Sequence, residues 1–235
     1  MSLPVAILAG GLATRLHPAT ERLPKSLVDV AGKPFAVHQI ELLSRHGLTE
    51  IVFLVGHLGE LVCKALGDGS RWGVRLRYIF DGPKPLGTGG AIRHALPELG
   101  DAFFVLYGDS YLLCDFGAIE RSFVAGESKG LMTVCANEGR WDRSNVLFAN
   151  GRIVSYDKER PTAEMRHIDY GLGAFRSGAF AGRHDGEAFD LAVVYQELLS
   201  THSLTGVEVL ERFYEIGSRA GLEETRRYLA AKGAS

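Results

Sequence analysis

From residue 5 to residue 107, short apolar runs of strand length alternate with segments of helical spacing, and this alternation limits most strongly what the chain can become. Residues 5–9 are a continuous apolar run ending at Gly10-Gly11, the pattern of a parallel strand buried on both faces and opening into a loop. Similar runs recur at 51–55 and 102–107, and a further strand reads at 74–80. Between them, 35–45 places apolar residues at mostly helical spacing closed by His46-Gly47, and 60–66 and 88–96 read as further helices. The order predicts an α/β fold, Rossmann-like and doubly wound, with a mostly parallel sheet and the first strand at its middle.

After Asp109 the rhythm changes. Residues 130–136, 145–148 and 152–156 are short strand-like runs separated by turn residues, predicting a small β-rich subregion that acts as a lid or faces the second substrate. Helices return at 187–199 and 220–231, with a strand around 212–216 between them. No linker, repeat or low-complexity stretch divides the chain, so a single domain over 1–235 is expected, and 46% hydrophobic residues suffice for its core.

Lysine and arginine number 26 against 28 acidic residues, which excludes the basic surface of a nucleic-acid binder and leaves any anionic ligand to local charge. Cys63, Cys114 and Cys135 are widely spaced without a CxxC pair, so they read as reduced core thiols. The apolar stretch at the start is too short to span a membrane and lacks a signal peptide's basic region and cleavage site. No membrane partner and a cytoplasmic location are expected.

Gly10 and Gly11 follow a buried strand directly, where glycine lets backbone N–H groups approach a phosphate or ribose. Alone, such a pair is as consistent with a tight turn. Behind it, Thr14, Arg15 and Lys25 share one long loop punctuated by Pro18 and Pro24, close to the carboxyl end of a strand, where open α/β sheets bind ligands. Arginine offers a planar fork to phosphate oxygens and lysine a compact charge. A second cluster, Gly87-Thr88-Gly89-Gly90, stands between strand and helix, so that Thr88 can cap the helix and the glycines admit a planar base. Asp109 ends the apolar run 103–107 beside the same crevice, where an acid can hold magnesium on phosphate oxygens.

The segment LAGGLATRLHPATERLPKSLVDVAGKP resembles the signature GGxGTRLxPxTxxxPKxLxxVxGKP of the sugar-1-phosphate nucleotidyltransferases, with Ala13 in place of a glycine and Ser26 in place of proline or alanine. The resemblance runs from Leu8 to about Leu229, with the motifs in the family's order. It implies that Leu8, Gly10, Gly11 and Thr14 line the nucleotide, that Arg15 holds the β- and γ-phosphates, and that Lys25 neutralises phosphates at the reacting centre. It further implies that Gly87, Thr88 and Gly89 meet base and ribose, and that Asp109 binds Mg²⁺. Phe213-Tyr214-Glu215-Ile216-Gly217-Ser218 resembles the family's second metal segment, with Glu215 in place of aspartate. Asp157-Lys158 resembles an acid–lysine pair in which the lysine, a third catalytic cation, meets the sugar phosphate and the acid meets sugar hydroxyls. Asp169-Tyr170-Gly171 stands where the family has Asn-Ala-Gly, so Asp169 and Gly171 join the sugar side.

The implied reaction joins an NTP and a sugar 1-phosphate into an NDP-sugar and pyrophosphate. The LGTGG form is closest to mannose and heptose 1-phosphate guanylyltransferases, which points to GTP with D-glycero-D-manno-heptose 1-phosphate or mannose 1-phosphate. The alternative is uridylyl or thymidylyl transfer to another hexose 1-phosphate. A nucleotide-sugar-dependent glycosyltransferase is disfavoured by Gly108-Asp109-Ser110 in place of a DxD motif, and an inactive nucleotide sensor by the retained charges. The oligomeric state, and any role for Arg140, Trp141, Asp142, Arg143 and Asn145, stay open. Hexapeptide repeats are absent, so no second activity is expected.

Overall fold

The computed structural model describes residues 2–11 and 23–233. Its first half runs through β1 (Val5–Leu8), the small hairpin β2 (Asp29–Val30) and β3 (Lys33–Pro34), α1 (Phe35–Arg45), β4 (Glu50–Val55), α2 (Gly59–Leu66), β5 (Arg75–Phe80), α3 (Gly87–Leu99) and β6 (Ala102–Tyr107). β1 lies between β4 and β6, parallel to both, and β5 extends the parallel run beyond β4. Alternate residues of these strands feed opposite layers. Val5, Ile7 and Phe53 join α1 and α2 on one face, while Ala6, Val52 and Leu54 join α3 on the other.

The second half contains β7 (Ser110–Tyr111), α4 (Phe116–Ala125), β8 (Gly130–Ala136), β9 (Val146–Ala149), β10 (Arg152–Tyr156), β11 (His167–Arg176), α5 (Leu191–Ser200), β12 (Leu204–Glu208), β13 (Tyr214–Glu215) and α6 (Arg219–Gly233). β11 runs antiparallel to β6 on one side and to β8 on the other, and β12 closes on β8 in parallel. One nine-stranded sheet thus runs through both halves. The expected β-rich subregion is the hairpin of β9 and β10, attached where β11 leaves β6. Asp115 and Asp190 start α4 and α5 by accepting the N–H groups of Ala118 at 2.9 Å and Ala192 at 2.8 Å.

Six elements go beyond the sequence reading: the two-residue strands β2, β3 and β7, and the longer α4, β11 and β12. The strand expected near 212–216 narrows to Tyr214–Glu215 and pairs with β7, apart from the main sheet. All three cysteines are free, Cys114 and Cys135 buried and Cys63 half-buried.

Candidate active site

The carboxyl ends of β1, β4, β5 and β6 frame a cleft of about 310 Å³. Leu8, Gly10, Gly11 and Lys25 line it from the first loop, Gly87 and Thr88 from the start of α3, and Asp109 from the turn after β6. Thr14 and Arg15 lie outside the described residues.

Lys25 sits in a single 3-10 turn, Lys25–Leu27, that follows Pro24. Its Nζ donates to Asp109 Oδ2 at 2.9 Å. Asp109 is held from the other side by the β7–β13 ribbon, in which Ser110 pairs with Glu215 and the Ile216 N–H donates to the Asp109 carbonyl at 2.9 Å. The Glu215 carboxylate accepts the N–H groups of Gly217 and Ser218 and the Ser218 hydroxyl, and so holds Ser218, whose own Oγ caps α6 by accepting the Gly221 N–H at 2.9 Å. A Cβ on Gly217 would stand 2.8 Å from Glu215 Oε2 and 3.1 Å from Asp109 Oδ2, which keeps those two oxygens within about 5.9 Å of each other.

Among the described residues no group of three or more His, Cys, Asp or Glu side chains converges as a metal site. Magnesium is ordinarily held by one or two carboxylates, with water and phosphate oxygens completing its shell. The pair Asp109 and Glu215, close together on a loop-and-ribbon corner at the cleft, fits that donor set.

The second glycine cluster has a structural reason that the sequence reading did not anticipate. Gly89 and Gly90 donate their N–H groups to the Phe189 carbonyl at 2.9 and 3.2 Å. A Cβ on Gly89 would lie 2.3 Å from the Phe189 ring, and one on Gly87 2.6 Å from the Phe189 carbonyl oxygen. Glycine here admits the chain's own segment before α5. Gly87 lines the cleft as well, whereas Gly89 faces Phe189. Nor does Thr88 cap its own helix: the residue before α3 is Leu86, and the Thr88 hydroxyl accepts the N–H of Leu191 at 2.8 Å, bracing α5.

On the acceptor side, Lys158 Nζ lies 3.5 Å from Asp190 Oδ1. Asp157 closes a turn by accepting the N–H groups of Glu159 at 2.9 Å and Arg160 at 2.8 Å, bonds that hold its carboxyl below the usual carboxylate range. Asp169 sits where the register of β11 shifts. Burial pushes its carboxyl up to about 6, against the Gly171 N–H bond at 3.0 Å, the Lys158 charge and the Tyr107 hydroxyl at 3.4 Å. Gly171, at φ +100°, packs within van der Waals reach of Ser110 and Tyr107, next to Asp109. Asp169 and Gly171 thus adjoin the Tyr107–Ser110 turn at the cleft, while Asp157 and Lys158 do not contact it, and none of the four lines the cleft itself.

Asp81 was missed by the sequence reading. It follows β5 directly, lines the cleft, accepts the Leu86 N–H at 3.3 Å, and has its carboxyl raised by burial. The available signal was the one that identifies Asp109, an acid ending an apolar strand run.

Residues 5–145 match the family model described as Nucleotidyl transferase. The chain is 37% identical over 157 residues to a glucose-1-phosphate thymidylyltransferase of Streptomyces antibioticus, covering 65% of this chain and 44% of that protein. It is 44% identical over 113 residues to the N-acetylmuramate alpha-1-phosphate uridylyltransferase of Neisseria meningitidis serogroup B, covering 48% and 49%. The chain thus spans about half the length of the curated relatives it matches. In three dimensions it shares the fold of HddC from Yersinia pseudotuberculosis complexed with GMP-PN, with a TM-score of 0.80 over 97% of this chain and 100% of that chain at 22% identity. No helix among the described residues is long and apolar enough to cross a membrane. With its strand-end cleft, its Lys25–Asp109 pair and a family match over more than half its length, this chain belongs to the nucleotidyl transferase family.

Proposed function

We propose that the chain transfers a nucleotidyl group from an NTP to a sugar 1-phosphate and releases pyrophosphate, acting as one domain. The observation that carries this reading is the convergence of Lys25, Asp109 and Glu215 at one corner of the cleft. A phosphate oxygen of the sugar 1-phosphate attacks the α-phosphorus in line, forming one P–O bond as the bond to the pyrophosphate oxygen breaks. The attacking oxygen is already ionised at neutral pH, so the chain provides positioning and charge rather than a general base. Lys25 exchanges Asp109 for phosphate oxygens, Lys158 exchanges Asp190 for the sugar phosphate, and Arg15, in the same loop as Lys25, is assigned to the β- and γ-phosphates. Mg²⁺ held by Asp109 and Glu215 would supply charge neutralisation at the phosphate oxygens.

We assign the base to guanine. In the strand order β6–β1–β4–β5 the backbone of Asp81 stands three strand spacings from that of Asp109, roughly 14 Å, and its carboxylate reaches back to Gly10 at the end of β1, where a nucleoside lying across the strand ends would meet it. A carboxylate only accepts hydrogen bonds, and guanine offers it N1–H and N2–H₂ side by side. Uracil and thymine offer one N–H between two carbonyls. HddC of the same fold is complexed with GMP-PN, which supports the assignment. Mannose 1-phosphate or D-glycero-D-manno-heptose 1-phosphate is the proposed acceptor. Uridylyl or thymidylyl transfer is the second reading, favoured by the named relatives. The free thiols support a reducing cytoplasmic location.

The test is pyrophosphate release from GTP, UTP, TTP, CTP and ATP against mannose, heptose, glucose and N-acetylhexosamine 1-phosphates, repeated with Lys25→Ala. Turnover confined to GTP with mannose or heptose 1-phosphate and lost in Lys25→Ala is expected. Near wild-type release by a folded Lys25→Ala protein would sink the mechanism.

A further inference from the structure

The acceptor side lies on and beside the main sheet and Glu215 on the separate β7–β13 ribbon, and besides the packing of Gly171 on Ser110 a small side-chain cluster ties them together. Arg212 stands three residues before Glu215. Its guanidinium forks onto both carboxylate oxygens of Glu224 on α6, at 2.8 Å each. Its Cζ also lies 4.5 Å from the ring centroid of Tyr214 and 4.9 Å from that of Trp141. Trp141 packs edge-on against Phe213 at 6.1 Å, and Tyr214 stacks on Tyr228 of α6 at 4.0 Å. The side chains around Glu215 are thus fixed to one another, and two members come from the acceptor half of the fold: Tyr170 of β11, edge-on against Phe213 at 6.0 Å, and Trp141.

Trp141 belongs to the loop between β8 and β9, which folds around Asn137, a fully buried amide. Asn137 Oδ1 accepts the Trp141 N–H at 3.2 Å, and its Nδ2 donates to the Asp142 carbonyl at 2.5 Å and to Ser144 Oγ at 3.1 Å. The loop ends at Asn145, whose carbonyl accepts the Asp157 N–H at 3.0 Å and whose Oδ1 accepts the Asp169 N–H at 3.0 Å. A single loop is therefore pinned at Trp141 to the Glu215 segment and at Asn145 to both acids of the acceptor side.

We propose that Trp141 and Arg212 are positioning residues that lock the acceptor side onto the segment carrying Glu215, fixing where the sugar phosphate sits relative to the Asp109–Glu215 corner. The proposal rests on the nucleotidyl-transfer reading above. Neither residue touches the cleft. Each of the two contacts is of a strong class, a bidentate ion pair and an arginine on a tryptophan ring. A misplacement of about 1 Å between reacting groups can cost about a hundredfold in rate, which gives such a lock its consequence.

Two measurements test it. In steady-state kinetics with GTP and mannose 1-phosphate, Trp141→Leu and Arg212→Met should each raise KM for the sugar phosphate about tenfold and lower kcat by about tenfold. KM for GTP should stay within about twofold, Trp141→Phe should retain most activity, and the double variant should be little worse than either single one, because both act through one contact. Hydrogen–deuterium exchange provides a readout independent of turnover. Arg212→Met should speed exchange of the Trp141, Asp157 and Asp169 amides about tenfold or more while leaving those of β1 and β4 unchanged. Unaltered exchange on the acceptor side, or a parallel rise of both KM values with a general loss of melting temperature, would overturn the lock. Absence of wild-type turnover with every substrate pair would overturn the nucleotidyl-transfer reading instead, and the exchange result would then decide the lock alone.

Discussion

Replacing Gly217 by alanine perturbs the carboxylate corner without removing any of its chemical groups. The added Cβ would stand 2.8 Å from Glu215 Oε2 and 3.1 Å from Asp109 Oδ2, which is 0.6 and 0.3 Å inside the 3.4 Å where ordinary contact begins. Glu215 cannot simply swing aside, because hydrogen bonds from Gly217, Ser218 and the Ser218 hydroxyl pin it. A displacement of roughly half an ångström is therefore forced on one carboxylate or shared by both. If 1 Å costs about a hundredfold, half of that costs about tenfold in kcat, or ~1.4 kcal/mol of transition-state stabilisation. Global stability should move far less. One strained hydrogen bond costs about 1 kcal/mol, and alanine recovers roughly half of it by restricting the unfolded chain. Gly182→Ala, where nothing lies within 4 Å of the new Cβ, serves as the control. The assay is pyrophosphate release beside thermal melting of both variants. Full kcat in folded Gly217→Ala would show that Asp109 and Glu215 do not set the rate.

Three further outcomes follow from the same geometry. Asp169, with its carboxyl raised to about 6 from 3.8, keeps a proton in the native state that the unfolded chain releases between about pH 4 and 6. Stability therefore falls as pH rises through that window, and Asp169→Asn should gain about 1–2 kcal/mol at pH 7.5, allowing for partial exposure, and nothing at pH 4; an equal melting offset at both pH values would contradict this. Asp81→Asn should raise KM for GTP by about tenfold or more, since a charged acceptor for two guanine donors is lost, while UTP is affected less; unchanged KM for GTP would remove Asp81 from base recognition. Gly89→Ala should destabilise by about 1–3 kcal/mol through collision with the Phe189 ring, although glycine to alanine inside a helix ordinarily stabilises, and an unchanged or higher melting temperature would refute the packing.

The parallel part of the sheet was legible because β1, β4 and β6 are buried on both faces and therefore read as apolar runs, while the edge strand β5 carries Arg75 and Arg77 among its apolar residues: β6 and α1 fall where periodicity set them. β11 was hidden for a physical reason. Its sequence is broken by Asp169 at the register shift, by Gly171 at positive φ, and by Gly173, where a Cβ would meet the Tyr195 hydroxyl at 2.2 Å. No strand period survives such interruptions. β13 was overextended because only two of its residues find partners, in β7. Lys25, Asp109 and Glu215 could be named from motifs, but their convergence depends on the β7–β13 ribbon, which no local pattern announces. The glycines of 87–90 carry a second duty that their residue type conceals, since a segment expected to admit a ligand also admits the chain before α5. The stacking of Trp141 on Arg212 joins residues far apart in the chain, beyond the reach of any local rule.

The ribbon that brings Glu215 beside Asp109 has a consequence for the order in which the protein is made. A chain elongated only through α5 holds the cleft-lining glycines, Lys25 and Asp109, but lacks Glu215, the β13 strand that braces Asp109, and the helix whose cap, Ser218, Glu215 holds. Synthesis proceeds from the amino end, and residues 201–233 arrive after everything they complete. A nascent chain can thus fold most of its sheet while remaining silent in the reaction proposed here, and the arrival of α6 is the event that switches the corner on.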